Sequence, residues 1–230
     1  FTDPSSLMPA LDKEVLERVA SLFDPHAPVT DPDLLSKLLS GNLANFRNAP
    51  DRLPESTCQA MRAHLQALLP ECGELDPTSC ADVPLHGNAV PFRDLSDGYA
   101  SLLALIGHLF RYSLAASNWT GDPGGIRGIA LIDEIDAHLH PSWQRRILPN
   151  LSKVFPKLQI LATSHSPMVA GSIDSKFIRV LKRDGPSVKL ISDFRSIEGW
   201  RADQILTGVL FDLQTTRSQQ TEELFRRYAD

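Results

Sequence analysis

The chain has 230 residues, 42% hydrophobic and 22% charged, with a formal net charge of −5. This is an ordinary soluble globular composition, long enough for one large domain or two small ones. The acidic balance excludes a generally basic nucleic-acid surface and leaves room only for a local patch. The three cysteines, Cys58, Cys72 and Cys80, are odd in number and lack paired metal spacing, so they read as reduced cytosolic thiols and place the chain in the cytoplasm. No signal peptide is visible. The longest apolar stretch, Ser101 to Ala116, is interrupted by His108 and Arg111, which excludes a membrane span.

Residues 1–82 read as a helical region poor in chemistry. Val15, Leu16, Val19 and Phe23 have helical spacing in a segment over 12–23 that Asp24-Pro25 stops. Asp31-Pro32 starts a second helix, over 32–39, which ends at Ser40-Gly41. A third helix is expected over 56–69 between Pro54 and Pro70, followed by a loop over 71–81. His26, His64 and His86 are isolated and read as surface or capping residues. There is no internal repeat.

Val83 to Phe92 alternates around Gly87-Asn88, which predicts a β-hairpin, and Pro84 and Pro91 place its strands at an edge. It leads into Leu95-Ser96-Asp97-Gly98. Ser96 is a suitable N-cap for a largely apolar, buried helix over 98–116. A helix N-terminus with free N–H groups, a hydroxyl and a glycine also suits a phosphate. The polar, Gly-rich stretch 118–127 has no lysine and precedes a strand, so it fails as a phosphate-binding loop and reads as a flexible connection.

Ile129 to Ile132 is a short continuous apolar run after Gly128, the pattern of a strand buried on both faces. It ends in two adjacent carboxylates, Asp133 and Glu134. Unpaired acids at the edge of a core are costly, and a divalent cation with a phosphate would remove the cost. In open α/β sheets, ligands sit beyond the carboxyl ends of the strands, where these acids fall. His138 and His140 follow in a turn, separated by one residue, a poor arrangement for a metal cluster. A helix over 142–154 comes next, with Pro149 as a kink and Arg145 and Arg146 on its solvated face. A second buried strand, over 159–163, ends at Ser164-His165 and would be parallel to the first if the helix is a crossover. A short helix over 166–170, a hairpin around Arg183-Asp184-Gly185-Pro186 and a helix from Gln219 complete the chain.

Three stretches in this order, Leu95-Ser96-Asp97-Gly98, Ile129 to Glu134 and Thr163-Ser164-His165, resemble the signature motif, Walker B strand and switch histidine of ABC-class ATPases. The resemblance covers 83–212. It is closest to the AAA-type branch found in bacterial defence proteins and in overcoming-lysogenization-defect (OLD-like) nucleases, where the signature often has Asp in place of a glycine. The segment around Trp200 to Leu206 resembles one found after the ATPase core in those relatives.

The resemblance implies a P-loop NTPase-like α/β fold, a parallel sheet with flanking helices, preceded by a helical segment. It divides the chain into a helical insertion (1–82), the C-terminal half of an ATPase core (83–212) and a C-terminal helix or tail (213–230). It implies ATP and Mg²⁺ as cofactors. Asp133 would hold Mg²⁺, Glu134 would polarise the attacking water, and His165 would sense the γ-phosphate. Ser96, Asp97 and Gly98 would face the γ-phosphate held by a second copy packed head to tail, with the Asp97 carboxylate pointing away. Asp136, His138 and His140 would occupy the D-loop at that dimer interface, with His140 about where the family has an Asp.

No Gly-x-x-x-x-Gly-Lys-Ser/Thr occurs in the sequence. Either an N-terminal half lies outside this chain or nucleotide binding has been lost, and the start at Phe1 favours the first. The chain alone is expected to hydrolyse ATP very slowly or not at all. The full protein would switch an attached effector or a DNA contact. Two other readings stand beside this one: a non-catalytic module of the same fold that holds a partner such as a nuclease, and an SMC-like DNA-repair ATPase. The latter usually carries long heptad coiled coils, and no heptad run occurs here.

Overall fold

In a computed structural model, the structure describes residues 32–43, 46, 49–69, 73, 82–85 and 87–228. The helix expected over 12–23 and nearly all of the loop expected over 71–81 lie outside them, as do His26, His86, Cys72 and Cys80. The chain divides into two compact units, 1–131 and 132–230.

In the N-terminal unit, α1 (Pro32–Ser40) and α2 (Glu55–Leu68) precede a hairpin of β1 (Asp82–Leu85) and β2 (Asn88–Pro91). The long helix α3 (Asp97–Ala116) follows. Pro32 opens α1 at a position whose N–H would have had no helical partner. The chain leaves α1 through Gly41 at φ +73°, and the N–H groups of Gly41 and Asn42 return to the carbonyls of Leu38 and Lys37. This is a glycine-closed helix end, and a Cβ at Gly41 would lie 2.9 Å from Cys58 Sγ.

α1 packs against α2 and α3. Leu35, Leu38, Leu39, Met61, Leu65, Ile106, Phe110 and Leu114 are almost completely removed from water. Each contributes roughly 1.5–3 kcal/mol of burial free energy. Arg62 lies in this layer because its guanidinium is satisfied. It donates to Leu39 O at the end of α1 (3.0 Å) and pairs with Glu55.

β1 and β2 pair antiparallel, with Leu85 opposite Asn88. Gly87 supplies the positive φ of the turn, +83°, while Asn88, expected in the turn, already begins β2.

The stretch 118–127 is fastened, contrary to the expected flexible connection. Pro123–Gly125 form a 3₁₀ turn capped by Asp122, which accepts from the Gly124 N–H (2.8 Å). Asp122 also bonds the His64 ring (2.6 Å), and Ser113 Oγ donates to Pro123 O (2.5 Å). Polar side chains that look like loop composition in the sequence are the anchors of this turn. Burial alone would raise the Asp122 carboxyl, but the His64 ring, the Gly124 N–H and the His64 charge outweigh it and hold it below the ordinary carboxylate range.

A carboxyl lowered on folding stabilises above its unfolded range, near 3.8, and loses that contribution as pH falls through the lower folded value. Asp122→Asn should therefore flatten the acid limb of stability. Its side chain is 60% exposed, which reduces the expected cost at neutral pH to about 0.5–1 kcal/mol. Urea unfolding at a series of pH values from 3 to 7 measures both; an unchanged acid limb would count against the anchor.

β3 (Gly128–Ile132) leads to the C-terminal unit, which begins at its last residue, Ile132. Then come α4 (Pro141–Gln144), α5 (Ile147–Val154), β4 (Leu158–Ala162) and α6 (Pro167–Ala170). The hairpin β5 (Val180–Asp184) and β6 (Ser187–Ile191) follows, then α7 (Ala202–Thr207) and α8 (Gln219–Tyr228). The described strands form three two-stranded sheets, β1–β2, β3–β4 and β5–β6. The core of this unit holds Ile135, Leu139, Ile147, Leu151, Phe155, Val169 and Ile205.

Two expectations need correction here. The helix expected over 142–154 is two helices, with a break at Arg145-Arg146. Pro149 has no N–H to return to the carbonyl of Arg145, and its ring crowds that carbonyl, so the chain breaks rather than kinks. The two apolar strands are also not buried on both faces. Ala130 is buried, but Ile129 and Leu131 on the opposite face of β3 are 61% and 40% exposed, and Leu161 on β4 is 51% exposed. An apolar run states that both faces tolerate cover; among the described residues cover comes on one. No helix among the described residues is long and apolar enough to cross a membrane.

Candidate functional site

The C-terminal unit brings Asp133, Glu134, Asp136 and His165 together, and Thr163 is the residue that joins them. The Thr163 N–H donates to Ile132 O (2.9 Å), and the Ile135 N–H donates to Thr163 O (3.1 Å). One residue bonding two different residues of its neighbour, with both chains running the same way, is parallel pairing. The Thr163 hydroxyl continues the pattern. It accepts from the Glu134 N–H (2.8 Å) and donates to Asp133 Oδ1.

This clamp bends the chain. Glu134 adopts φ +49°, the left-handed region, where a non-glycine residue costs roughly 1–3 kcal/mol. That conformation takes Glu134 out of the ladder, so the next bond to Thr163 O comes from Ile135. Asp133 and Glu134 follow each other at the strand end and both are exposed. The expected penalty for unpaired acids at a core edge therefore does not arise: water reaches both, and Asp133 Oδ1 holds the Thr163 hydroxyl.

One turn later, Asp136 Oδ1 accepts the N–H of His165 (3.2 Å). His165 itself is exposed, at the start of a loop whose next residue, Ser166, caps α6 by accepting from the N–H groups of Met168 and Val169. His138 is exposed at φ +61°, in a region where His is more common than most residues. His140 is the N-cap of α4: its Nδ1 accepts the Ser142 N–H (3.3 Å). No group of three or more His, Cys, Asp or Glu side chains among the described residues could hold a metal by itself.

A family model described as "AAA domain, putative AbiEii toxin, Type IV TA system" matches residues 8–170, well over half of the chain. The chain belongs to this AAA-domain family. The fold is accordingly P-loop NTPase-like α/β, in keeping with the parallel pairing at Thr163.

The chain is similar to "Septu protein PtuA" of Bacillus mycoides (strain KBAB4), with 30% identity over 92% of this chain and 28% of the relative. It is 43% identical to "Retron Ec83 probable ATPase" of Escherichia coli over 46% of this chain and 20% of that protein. It is 28% identical to "Retron Vc95 probable ATPase" of Vibrio cholerae serotype O1 biovar El Tor over 86% of this chain and 39% of that protein. The chain thus spans well under half the length of these curated relatives.

Within the AAA domain, Ser96, Asp97 and Gly98 belong to the N-terminal unit, at the start of α3. Ser96 occupies the N-cap position, but its hydroxyl makes no capping bond, which corrects the expected side-chain cap. Ser96 and Asp97 are exposed and Gly98 is half-buried.

Two residues of the arrangement escaped sequence reasoning. Thr163 was visible as the last residue of an apolar strand, but nothing in the sequence marked its hydroxyl as the link to Asp133 and Glu134. Gln144 gave no signal at all. Its side chain reaches Asp136 O, Leu139 O and Ser166 Oγ.

The donor set fits a hard divalent cation. Asp133 keeps one carboxylate oxygen clear of the Thr163 bond, and among the described residues neither the Glu134 carboxylate nor the His165 ring has a hydrogen-bond partner. Exposed carboxylate oxygens held by the backbone are the ligands Mg²⁺ takes, with water and phosphate oxygens completing its shell.

Proposed function

We propose that this chain is the part of an AAA-type ATPase that supplies the hydrolytic side of the nucleotide site. The observation that supports the reading is the Thr163 clamp, which holds the Asp133 carboxylate and the Glu134 N–H at a strand end and leads two residues later to His165. The names of the relatives as probable ATPases support the same activity.

Mg²⁺ bound with ATP would supply charge neutralisation of the β- and γ-phosphates. Asp133 contributes its open carboxylate oxygen to that ion. Glu134 accepts a proton from the attacking water through its exposed carboxylate, and the clamp on its N–H holds its backbone at the strand end. His165 lies on the same rim and donates to the γ-phosphate. Its backbone is held by Asp136, so a shift in the turn 136–140 is felt at its ring.

Ser96, Asp97 and Gly98 act on the γ-phosphate of a second copy packed head to tail. The Ser96 hydroxyl, which makes no capping bond, and the N–H groups at the start of α3 face the phosphate, with the Asp97 carboxylate turned away. Asp136, His138 and His140 line the same interface. The glycine-rich Lys-Ser/Thr loop is supplied by sequence outside this chain. Residues 1–82 form an insertion, 83–212 the C-terminal half of the core and 213–230 a terminal helix or tail. The whole protein works in the cytoplasm in bacterial defence, where closing and reopening of the dimer switches an effector such as a nuclease, or a DNA contact.

The test is ATP turnover and nucleotide-dependent dimerisation of the full-length protein, compared with the isolated chain. Turnover by the full-length protein and none by the isolated chain is expected. ATP binding without turnover would leave a scaffold of the same fold as the better reading.

A further inference from the structure

Besides the direct bond from the His165 N–H to Asp136, the turn 136–140 and the loop carrying His165 are tied together by the side chain of Gln144, at the end of α4. Its Nε2 donates to Leu139 O (2.9 Å) and Asp136 O (3.3 Å). Its Oε1 accepts from Ser166 Oγ (2.6 Å). The orientation of the amide is determined by the chemistry of its partners. Ser166 is 5% exposed, and its oxygen already accepts from two N–H groups, those of Met168 and Val169. Its single proton must therefore go out, and an amide oxygen receives it. The carbonyls of Asp136 and Leu139 can only accept, so the amide nitrogen faces them. A side chain that accepts on one atom and donates twice from another is an amide. A carboxylate, an ammonium or an apolar group of the same length fails at one end or both.

Asp136 is consequently held twice, by its carbonyl to Gln144 and by its carboxylate to the His165 N–H. His165 is flanked by the same network: Asp136 fixes its own N–H, and Gln144 fixes the following residue. Displacement at either segment is carried to the other through these bonds.

We infer that Gln144 is a positioning residue that couples the turn 136–140 to His165, so that arrival of the second copy at the turn sets the His165 ring for hydrolysis. The inference rests on the nucleotide reading given above. It assigns Gln144 an effect on the rate of turnover and none on the binding of ATP, because the side chain is half-buried and its amide is taken up by protein partners.

The experiment uses the full-length protein and Gln144→Glu, which keeps the acceptor for Ser166 and sets a carboxylate against the two carbonyls. The kcat for ATP is expected to fall about tenfold or more while KM stays within about twofold. Amide hydrogen exchange is expected to accelerate in both 136–140 and 164–168. If Gln144→Glu does not fold, Gln144→Met, neutral and of similar length, gives the same two readouts. Unchanged kcat, or faster exchange in only one of the two segments, overturns the coupling. Glu134→Gln is assayed alongside. Absent wild-type turnover, or turnover unaffected by Glu134→Gln, sinks the hydrolytic reading instead, and the exchange pattern then decides by itself whether Gln144 ties the two segments.

Discussion

In the full-length protein, Glu134→Gln is expected to lower ATP turnover by about 10²–10⁴-fold and to leave ATP binding intact. The substitution replaces one oxygen by an amide nitrogen and changes neither the length nor the shape of the side chain. The backbone clamp is untouched, because the Glu134 N–H still donates to Thr163 Oγ1. What disappears is the capacity to take a proton from water. Since Glu134 is exposed and its carboxylate has no hydrogen-bond partner among the described residues, its loss leaves no buried group unsatisfied, and the fold should be unaffected. ATP is then expected to accumulate in a closed dimer, which gel filtration with light scattering would detect. Turnover within a factor of about three of wild type would remove Glu134 from the reaction.

The second large effect belongs to a residue that touches no nucleotide in this account. Thr163→Val keeps the β-branched shape but removes the hydroxyl that accepts from Glu134 N–H and donates to Asp133 Oδ1. Glu134 is then left at φ +49° without the bond that holds it there, and roughly 1–3 kcal/mol of backbone strain drives it to relax. Asp133 loses its fixed rotamer at the same time. A displacement on the order of 1 Å at a reacting group costs about 10²-fold in rate, and that is the expected loss in kcat. Thr163→Ser retains the hydroxyl and should keep most of the activity. Steady-state kinetics of the pair distinguish a lost hydroxyl from a disturbed strand; equal losses in the two variants would point to the strand.

Part of the candidate site is legible in the sequence. The acids at 133 and 134 and the histidine at 165 stand at the ends of apolar runs, and an apolar run that stops on charged or polar residues is visible without a structure. The helices over 32–40, 55–68 and 97–116 and both hairpins were equally legible, because their periodicity, prolines and glycines are local signals. Thr163 and Gln144 were not. Thr163 meets Asp133 across 30 residues, and Gln144 meets Ser166 across 22, so neither role has a local pattern. The same reason hid the pinning of 118–127, where Asp122 finds His64 across 58 residues. Pro149 announced a disturbed helix, but whether a proline bends a helix or ends it depends on what the flanking turns pack against. The exposure of Ile129, Leu131 and Leu161 was illegible for a related reason: hydrophobicity records what a face tolerates, and neighbours decide what it meets.

In the proposed function, Asp133 presents a carboxylate oxygen to a divalent cation that arrives with a nucleoside triphosphate. Electron paramagnetic resonance of Mn²⁺, added with a non-hydrolysable ATP analogue to the full-length protein, tests it without relying on turnover. A protein-bound Mn²⁺ signal that requires the nucleotide and is lost in Asp133→Asn is the expected result. An undiminished signal in Asp133→Asn would contradict it.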